Sequence, residues 1–271
     1  MLHKALGDRY HIEREIGRGG AARVFVGRDA TTAVPVALKV LRPELLTSVT
    51  AERFLREIAV MVGIDHPNIA RLLDYGEREW LVYYVMPFIE GPTVRQHLER
   101  VRRTSPADTE RMAGDLLDAL AHAHGHGIVH RDVKPENIVL AREGAVLLDF
   151  GIARAIAATG SERLTRSGFT VGTSYYMSPE QTLGAADIDH RSDLYSLGCV
   201  LFECLTGRPP FADRSEAVVL HLQQTANAPD VREYRAETPA GLADAIARAL
   251  VKEPSGRWQT AGEMLAAVHG S

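Results

Sequence analysis

His130-Arg131-Asp132-Val133-Lys134-Pro135-Glu136-Asn137 is followed, beyond a short apolar stretch, by Asp149-Phe150-Gly151. These two runs gather four complementary groups. Asp132 can accept a proton, Lys134 can neutralise a phosphate, and Asn137 and Asp149 offer hard oxygen atoms of the kind Mg²⁺ prefers. Ile138-Val139-Leu140 and Ala145-Val146-Leu147-Leu148 read as two apolar strands joined by a turn at Arg142-Glu143-Gly144. Such a hairpin brings Asn137, just before its first strand, close to Asp149, just after its second. Two ligands at adjacent hairpin ends form a site.

This pattern resembles the catalytic loop and metal-binding motif of protein kinases, nearest to the bacterial serine/threonine kinases of eukaryotic-like type. The resemblance implies that Asp132 orients and deprotonates a substrate hydroxyl. It makes Asn137 and Asp149 ligands of Mg²⁺, with Mn²⁺ as the alternative. Lys134, two residues after Asp132, is similar to the serine/threonine-specific form, in which this lysine contacts the transferred phosphate. The implied fold is α+β and two-lobed, with a small β-rich lobe and a larger, mainly helical one.

Composition is compatible with that size and class. A chain of 271 residues with 45% hydrophobic content can bury one large core or two lobes. Charged residues are 24% and the net charge is −4, so no basic field calls for nucleic acid. Lysines occur only at positions 4, 39, 134 and 252, the other basic residues being arginines. Lysine at 39 and 134 therefore suggests a need for a compact, mobile ammonium, whereas Lys4 and Lys252 have no evident role. Cys199 and Cys204 fall on different faces of a buried-looking helix and read as small core residues rather than a disulfide. A cytoplasmic setting is expected, or the cytoplasmic face of a membrane if the chain is part of a longer one. No apolar run reaches the ~18 residues of a membrane span, and the start, Met1-Leu2-His3-Lys4-Ala5, lacks a secretory signal.

Ile16-Gly17-Arg18-Gly19-Gly20-Ala21-Ala22-Arg23-Val24 lies between strand-like segments 10–16 and 23–28. Glycines at a hairpin tip let backbone N–H groups approach phosphates. A dinucleotide-binding loop is the rival reading, but that loop opens a helix and here a β-rich stretch continues. The run resembles the kinase Gly-rich loop, with Ala22 where the family pattern has its third glycine.

Val36-Ala37-Leu38-Lys39-Val40-Leu41 is an apolar strand carrying one cation, which is costly unless paired. The following helix, 50–63, shows an apolar stripe of Phe54, Leu55, Ile58, Met61 and Val62, with Glu57 at its border. By resemblance Lys39 holds the α- and β-phosphates and Glu57 holds Lys39. Leu81 to Pro87 reads as a strand opening into a turn. By resemblance it leads to a hinge, with Met86 as gatekeeper, the Pro87 carbonyl and the Ile89 N–H meeting adenine, and Ile16, Val24, Ala37 and Val139 completing the nucleotide-binding set with Gly17, Gly19 and Gly20. ATP is the implied cofactor. The implied kinase domain runs 10–270, divided into a small lobe 10–86, a hinge 87–91 and a large lobe 92–270.

Hydroxyl- and arginine-rich residues 159–169, then Gly172-Thr173-Ser174-Tyr175-Tyr176-Met177-Ser178-Pro179-Glu180, resemble an activation segment, with Ser178 where many kinases have alanine. Thr173 matches the residue that bonds the catalytic aspartate and lysine. Glu180 should pair with Arg257, and Asp193 should brace the catalytic loop. Phosphorylation of Thr165 and Ser167, gripped by Arg131, is the expected switch. His122, His124, His126 and His130 crowd a helix end. Zinc binding is conceivable there, but favourable placement against the helix dipole is the simpler reading. The implied partners are protein substrates with Ser or Thr acceptors, and a second copy of the chain for autophosphorylation as a homodimer. A pseudokinase scaffold and a small-molecule phosphotransferase are the alternatives. Intact Lys39, Asp132, Asn137 and Asp149 disfavour the first, and the 172–180 segment disfavours the second.

Overall fold

The computed structural model describes residues 5–6, 8–19, 22–42, 48–78, 81–150, 173–185 and 187–270, without the side chains of 48–50, 53 and 173. The chain forms two compact units. Of the described residues, the first holds those within 5–66 and 70–89; the second holds 67–69, 90–150 and those within 173–270.

The first unit is built on a five-stranded antiparallel sheet. Its strands are β1 (Tyr10–Arg18), β2 (Ala22–Asp29), β3 (Pro35–Leu41), β4 (Asp74–Arg78) and β5 (Leu81–Pro87), in the order β1-β2-β3-β5-β4. Alternation along the strands divides the sheet into two faces. Phe25, Val36, Leu38, Val40, Tyr83 and Val85 point one way, into a core shared with Leu6 and Tyr10. Val24, Lys39 and Tyr84 form a directly paired row on the other face, with Val26, Ala37 and Met86 in a second row beside it. Helix α1 (Ser48–Ala59) lies over that second face, where Phe54 meets the Tyr84 ring at 6.3 Å. Its buried stripe is Ala51, Phe54 and Ile58, continued by Met61. Val62, expected in that stripe, is 59% exposed, because the helix ends at Ala59 and the helical spacing no longer governs where later side chains point.

The second unit is mainly helical. Its principal helices are α2 (Val94–Val101), α3 (Pro106–Gly125), the short α4 (Pro179–Thr182), α5 (Arg191–Thr206), α6 (Glu216–Thr225), α7 (Ala240–Ala249) and α8 (Ala261–His269). From Ser192 to Thr206 every residue of α5 is buried, Cys199 and Cys204 included, so this helix is the centre of the core. Both cysteines are free, and burial pushes their thiols up to about 12. Lys252 does have a role. Its ammonium donates to the Tyr195 hydroxyl at 3.0 Å and sits 3.9 Å over the Phe211 ring, while burial lowers it to about 8.

The expected hairpin is present as β6 (Ile138–Ala141) and β7 (Gly144–Leu147). Gly144 belongs to the second strand rather than the turn, paired with Ala141 at a φ of 144° that suits glycine. Among the described residues, no helix is long and apolar enough to cross a membrane.

Candidate active site

The loop between α3 and β6 is held from below by one carboxylate. Asp193, fully buried in the first turn of α5, accepts the His130 N–H at 2.8 Å on Oδ2 and the Arg131 N–H at 2.7 Å on Oδ1. His124 on α3 reaches the same Oδ2 through Nε2 at 2.8 Å. Burial alone would raise the Asp193 pKa, but the His124 bond, the nearby imidazoles and the Arg131 N–H outweigh it and hold the group below its ordinary 3.8.

That clamp bears on a strained backbone. Arg131 has a φ of 66°, which for a long side chain costs about 1–3 kcal/mol. Three bonds offset the strain: its N–H to Asp193, its carbonyl accepting Gln181 Nε2 at 2.8 Å, and its Nη2 donating to the Ile188 carbonyl at 3.0 Å. His130 then sets the register of the 130–137 loop. The Asp132 N–H donates to its Nδ1 at 3.1 Å, so a neutral ring carries its proton on Nε2 and donates to the Leu148 carbonyl at 2.7 Å. The same ring meets Phe150 edge-on at 4.6 Å. One imidazole thus ties Asp132 to the segment carrying Asp149.

Asp132 is fixed by its neighbours. Lys134 Nζ lies 2.8 Å from Oδ2, and Asn137 Nδ2 donates to Oδ2 at 2.9 Å and to the Asp132 carbonyl at 2.8 Å. Both side-chain contacts fall on one carboxylate oxygen, which sets the rotation of the group. The Leu148 N–H donates to the Asn137 carbonyl at 2.8 Å, so the hairpin brings Asn137 to the residue before Asp149, as its spacing predicts. Asp149 itself has a φ of 62°. Because Asn137 gives its amide nitrogen to Asp132, its oxygen end remains for a cation. Together with the Asp149 carboxylate, this donor set fits a hard divalent metal.

In the first unit, Gly17, Val24, Lys39 and Tyr84 stand in one cross-strand row. Phe54 touches Tyr84, and Glu57 lies one helical turn further along α1 on the same side, so the helix places Glu57 over the Lys39 face. Ala37 and Met86 are buried and directly paired on that face, and Ile16 stands at an irregularity of β1 with 38% exposure. Gly17 and Gly19 frame the tip, where the Gly19 N–H donates to the Ala22 carbonyl at 2.9 Å. A Cβ on either would meet only ordinary contacts, at 3.7 and 3.6 Å. The protein's own packing therefore does not demand these glycines, and close approach by a ligand gives a reason for them. Pro87 ends β5 and Ile89 lies two residues beyond it, while Val139 is buried on β6 in the second unit. Gly20, Thr165, Ser167 and the Thr173 side chain lie outside the described residues.

The protein kinase domain family matches residues 10–267. The chain belongs to that family. This protein kinase domain is 41% identical over 268 residues to serine/threonine-protein kinase PknB of Mycolicibacterium smegmatis, covering 96% of this chain and 42% of that protein. It is 39% identical over 269 residues to a probable serine/threonine-protein kinase of Streptomyces coelicolor, covering 96% and 39%. With PrkC of Bacillus subtilis it shares 35% over 266 residues, covering 97% and 40%. The chain thus spans about two fifths of the length of these curated relatives. Kinases of this family use ATP and a divalent metal.

Farther from the loop, Arg257, with no exposed surface, donates to both Glu180 oxygens at 2.8 and 2.7 Å, and Ser192 donates to Oε1. Burial would raise Glu180, but the Arg257 and Ser192 bonds hold it below its ordinary 4.5. Sequence reasoning anticipates this pair and the Asp193 brace. It misses His124 and Gln181, and takes the histidines as dipole partners because the carboxylate that engages His124 lies 69 residues away.

Acid should weaken this part of the fold. Asp193 and Glu180 both have folded pKa values below their ordinary ones, so their contribution is present above those ordinary values and is lost as pH falls through the lower folded values. Urea midpoints should be level near neutrality and fall below about pH 4. Arg257→Ala should be weaker at neutral pH and show a shallower acid decline. An identical decline in the variant would show that the Glu180–Arg257 pair takes no part.

Proposed function

We propose that this chain is a serine/threonine protein kinase domain that transfers the γ-phosphoryl group of Mg-ATP to Ser and Thr hydroxyls of proteins, with Mn²⁺ as the alternative metal. The observation that carries the reading is the fixing of Asp132 by Lys134 and Asn137 beside the Asp149 segment. In this reading Asp132 Oδ1, the oxygen not bound by those two groups, takes the acceptor proton, and Lys134 neutralises charge on the transferred group. The metal, held by Asn137 and Asp149, supplies charge neutralisation on the phosphates. Lys39, oriented by Glu57, holds the α- and β-phosphates, and Thr173 bonds Asp132 and Lys134. Ile16, Gly17, Gly19, Gly20, Val24, Ala37, Met86, Pro87, Ile89 and Val139 bind the nucleotide. The domain runs 10–270, with a small lobe 10–86, hinge 87–91 and large lobe 92–270. A second copy serves as partner for autophosphorylation on Thr165 and Ser167. The setting in this reading is cytoplasmic, or the cytoplasmic face of a membrane if the chain is part of a longer one.

Purified protein with γ-labelled ATP, Mg²⁺ and both protein and small-molecule acceptors should label protein Ser and Thr. Label on tyrosine alone, or on small molecules alone, would overturn the assignment. Mass spectrometry of the same active preparation should find phosphate on Thr165 and Ser167; their absence at full activity removes the switch.

A further inference from the structure

A relay of hydrogen bonds runs through the core of the second unit from Lys252 to the turn Thr173–Tyr176. Lys252 Nζ donates to the Tyr195 hydroxyl at 3.0 Å and to the Leu222 carbonyl at 3.4 Å, and lies 3.9 Å from the centre of the Phe211 ring. Tyr195, with no exposed surface, donates its own proton to Gln223 Oε1. Gln223 is also fully buried, and its Nε2 donates to the Tyr175 carbonyl at 2.8 Å and to the Ser174 carbonyl at 3.3 Å.

Donor chemistry gives this relay one direction. An ammonium can only donate, a phenol has one proton to give, and an amide offers an oxygen at one end and protons at the other. Each link therefore follows from the charge on Lys252. The tyrosine side chains of the turn are tied elsewhere. Tyr175 donates through its hydroxyl to the Asp213 carbonyl at 3.0 Å, and the Tyr176 hydroxyl lies between Glu203 and Arg95, which also binds Glu136. Gln223, by contrast, holds the main chain of the turn. A neutral Lys252 upsets this order, because its lone pair competes with Gln223 Oε1 for the phenol proton. Once the phenol turns to Nζ, Oε1 is buried without that donor, a cost the amide relieves by rotating away from the 174 and 175 carbonyls.

Building on the kinase reading, in which the 172–180 segment docks the acceptor peptide, we propose that Lys252 is a positioning residue for that peptide. Through Tyr195 and Gln223 its charge holds the main chain of the turn 173–176, and loss of its proton releases it. The groups around the ammonium leave Lys252 as the switch. Burial raises Tyr195 well above its ordinary 10 and Cys199, also on α5, to about 12. Glu180 lies below its ordinary 4.5 and is bound by Arg257, whose guanidinium stands 4.8 Å from the Tyr195 ring. Helix α6 presents the Leu222 carbonyl and the Gln223 amide, and position 211 an uncharged ring. Lys252, lowered by burial to about 8, is the member of this group that changes charge near neutrality. The sign of its effect on stability is opposite to its effect on the turn. Between about 8 and the ordinary 10.5 the unfolded chain binds the lysine proton more tightly than the folded one, so the fold gains stability as pH rises through that window. Weaker peptide binding above about pH 8 is then no symptom of unfolding.

The test is the KM of a Ser-containing peptide from about pH 6.5 to 9.5, measured beside kcat and the KM of ATP. In wild type the peptide KM should rise about three- to tenfold as pH passes about 8, the worth of one hydrogen bond, while the KM of ATP stays level. Lys252→Arg, charged throughout, should keep its low peptide KM at the alkaline end. Tyr195→Phe, which cuts the relay, should begin with a raised peptide KM and show no step. A second readout needs no activity: the Gln223 side-chain amide, followed by heteronuclear NMR, should titrate near pH 8, or about that, in wild type and not in Lys252→Arg. Lys252→Met, unable to accept the phenol proton, carries the same test should Lys252→Arg not fold. A wild-type pH profile that superimposes on that of a folded Lys252 variant, or a Gln223 amide that does not titrate, overturns the inference while transfer to Ser and Thr still stands. Absence of wild-type transfer would instead strike the kinase reading, leaving the Gln223 titration to report on the relay by itself.

Discussion

Asp132→Asn should lower phosphoryl transfer by about 10²–10⁴ while leaving the fold and nucleotide binding in place. The geometry explains why the loss is confined to the chemical step. Lys134 and Asn137 both donate toward Oδ2. An asparagine at 132 can satisfy them by turning its amide oxygen to that position, which places the NH₂ where Oδ1 had been. The loop keeps its bonds, but the atom that should accept the substrate proton becomes a donor. Single-turnover transfer to a Ser-containing peptide, measured beside nucleotide affinity, separates the two effects. Turnover within a few-fold of wild type would remove Asp132 from its assigned role. Weakened nucleotide binding with unchanged single-turnover chemistry would point instead to a structural function for the carboxylate.

How far the sequence can be read depends on the distance between partners along the chain. The loop at 130–137, the hairpin behind it and Asp149 lie within one short segment, so strand periodicity and turn chemistry are enough to bring Asn137 to Leu148 and its neighbour. Strand β3 and the Glu57 helix are legible for the same reason, although the periodicity carries the stripe too far, to Val62. Asp193 and the Glu180–Arg257 pair are reachable only through family resemblance, since no local pattern connects them to their partners. The four-part contact of Arg95, Glu136, Tyr176 and Glu203 spans up to 108 residues and leaves no trace in the sequence pattern. Lys252 looks idle in the sequence because nothing in its local pattern points to a partner. Its partners are the aromatic faces of Phe211 and Tyr195, which bind a cation through ring electrostatics and leave no charge pattern to find. The glycines at 17 and 19 signal a loop in the sequence, yet only the open space around each position argues for a ligand rather than for a tight turn.

Asp193→Ala should be the most damaging single change to the loop, because three donors lose one acceptor at once. The His130 and Arg131 N–H groups and the His124 ring would all be left facing a site with no exposed surface. Removing one partner of so buried a charge cluster costs about 3–5 kcal/mol, a large share of a domain's net stability. Function should fall further than stability alone requires. The 66° φ of Arg131 persists because its N–H, carbonyl and guanidinium are all held, and the first of those anchors is Asp193. Released from it, residue 131 should relax toward a common backbone region and carry Asp132 with it. Asp193→Asn separates the two consequences. Its amide can keep one oxygen for one N–H but must turn NH₂ toward the other, so the chain should fold with reduced stability and with kcat lowered more than KM. Urea unfolding and steady-state kinetics on the two variants measure both quantities. Wild-type kcat in a folded Asp193→Asn would show that the clamp supports the core of the second unit without positioning the catalytic loop.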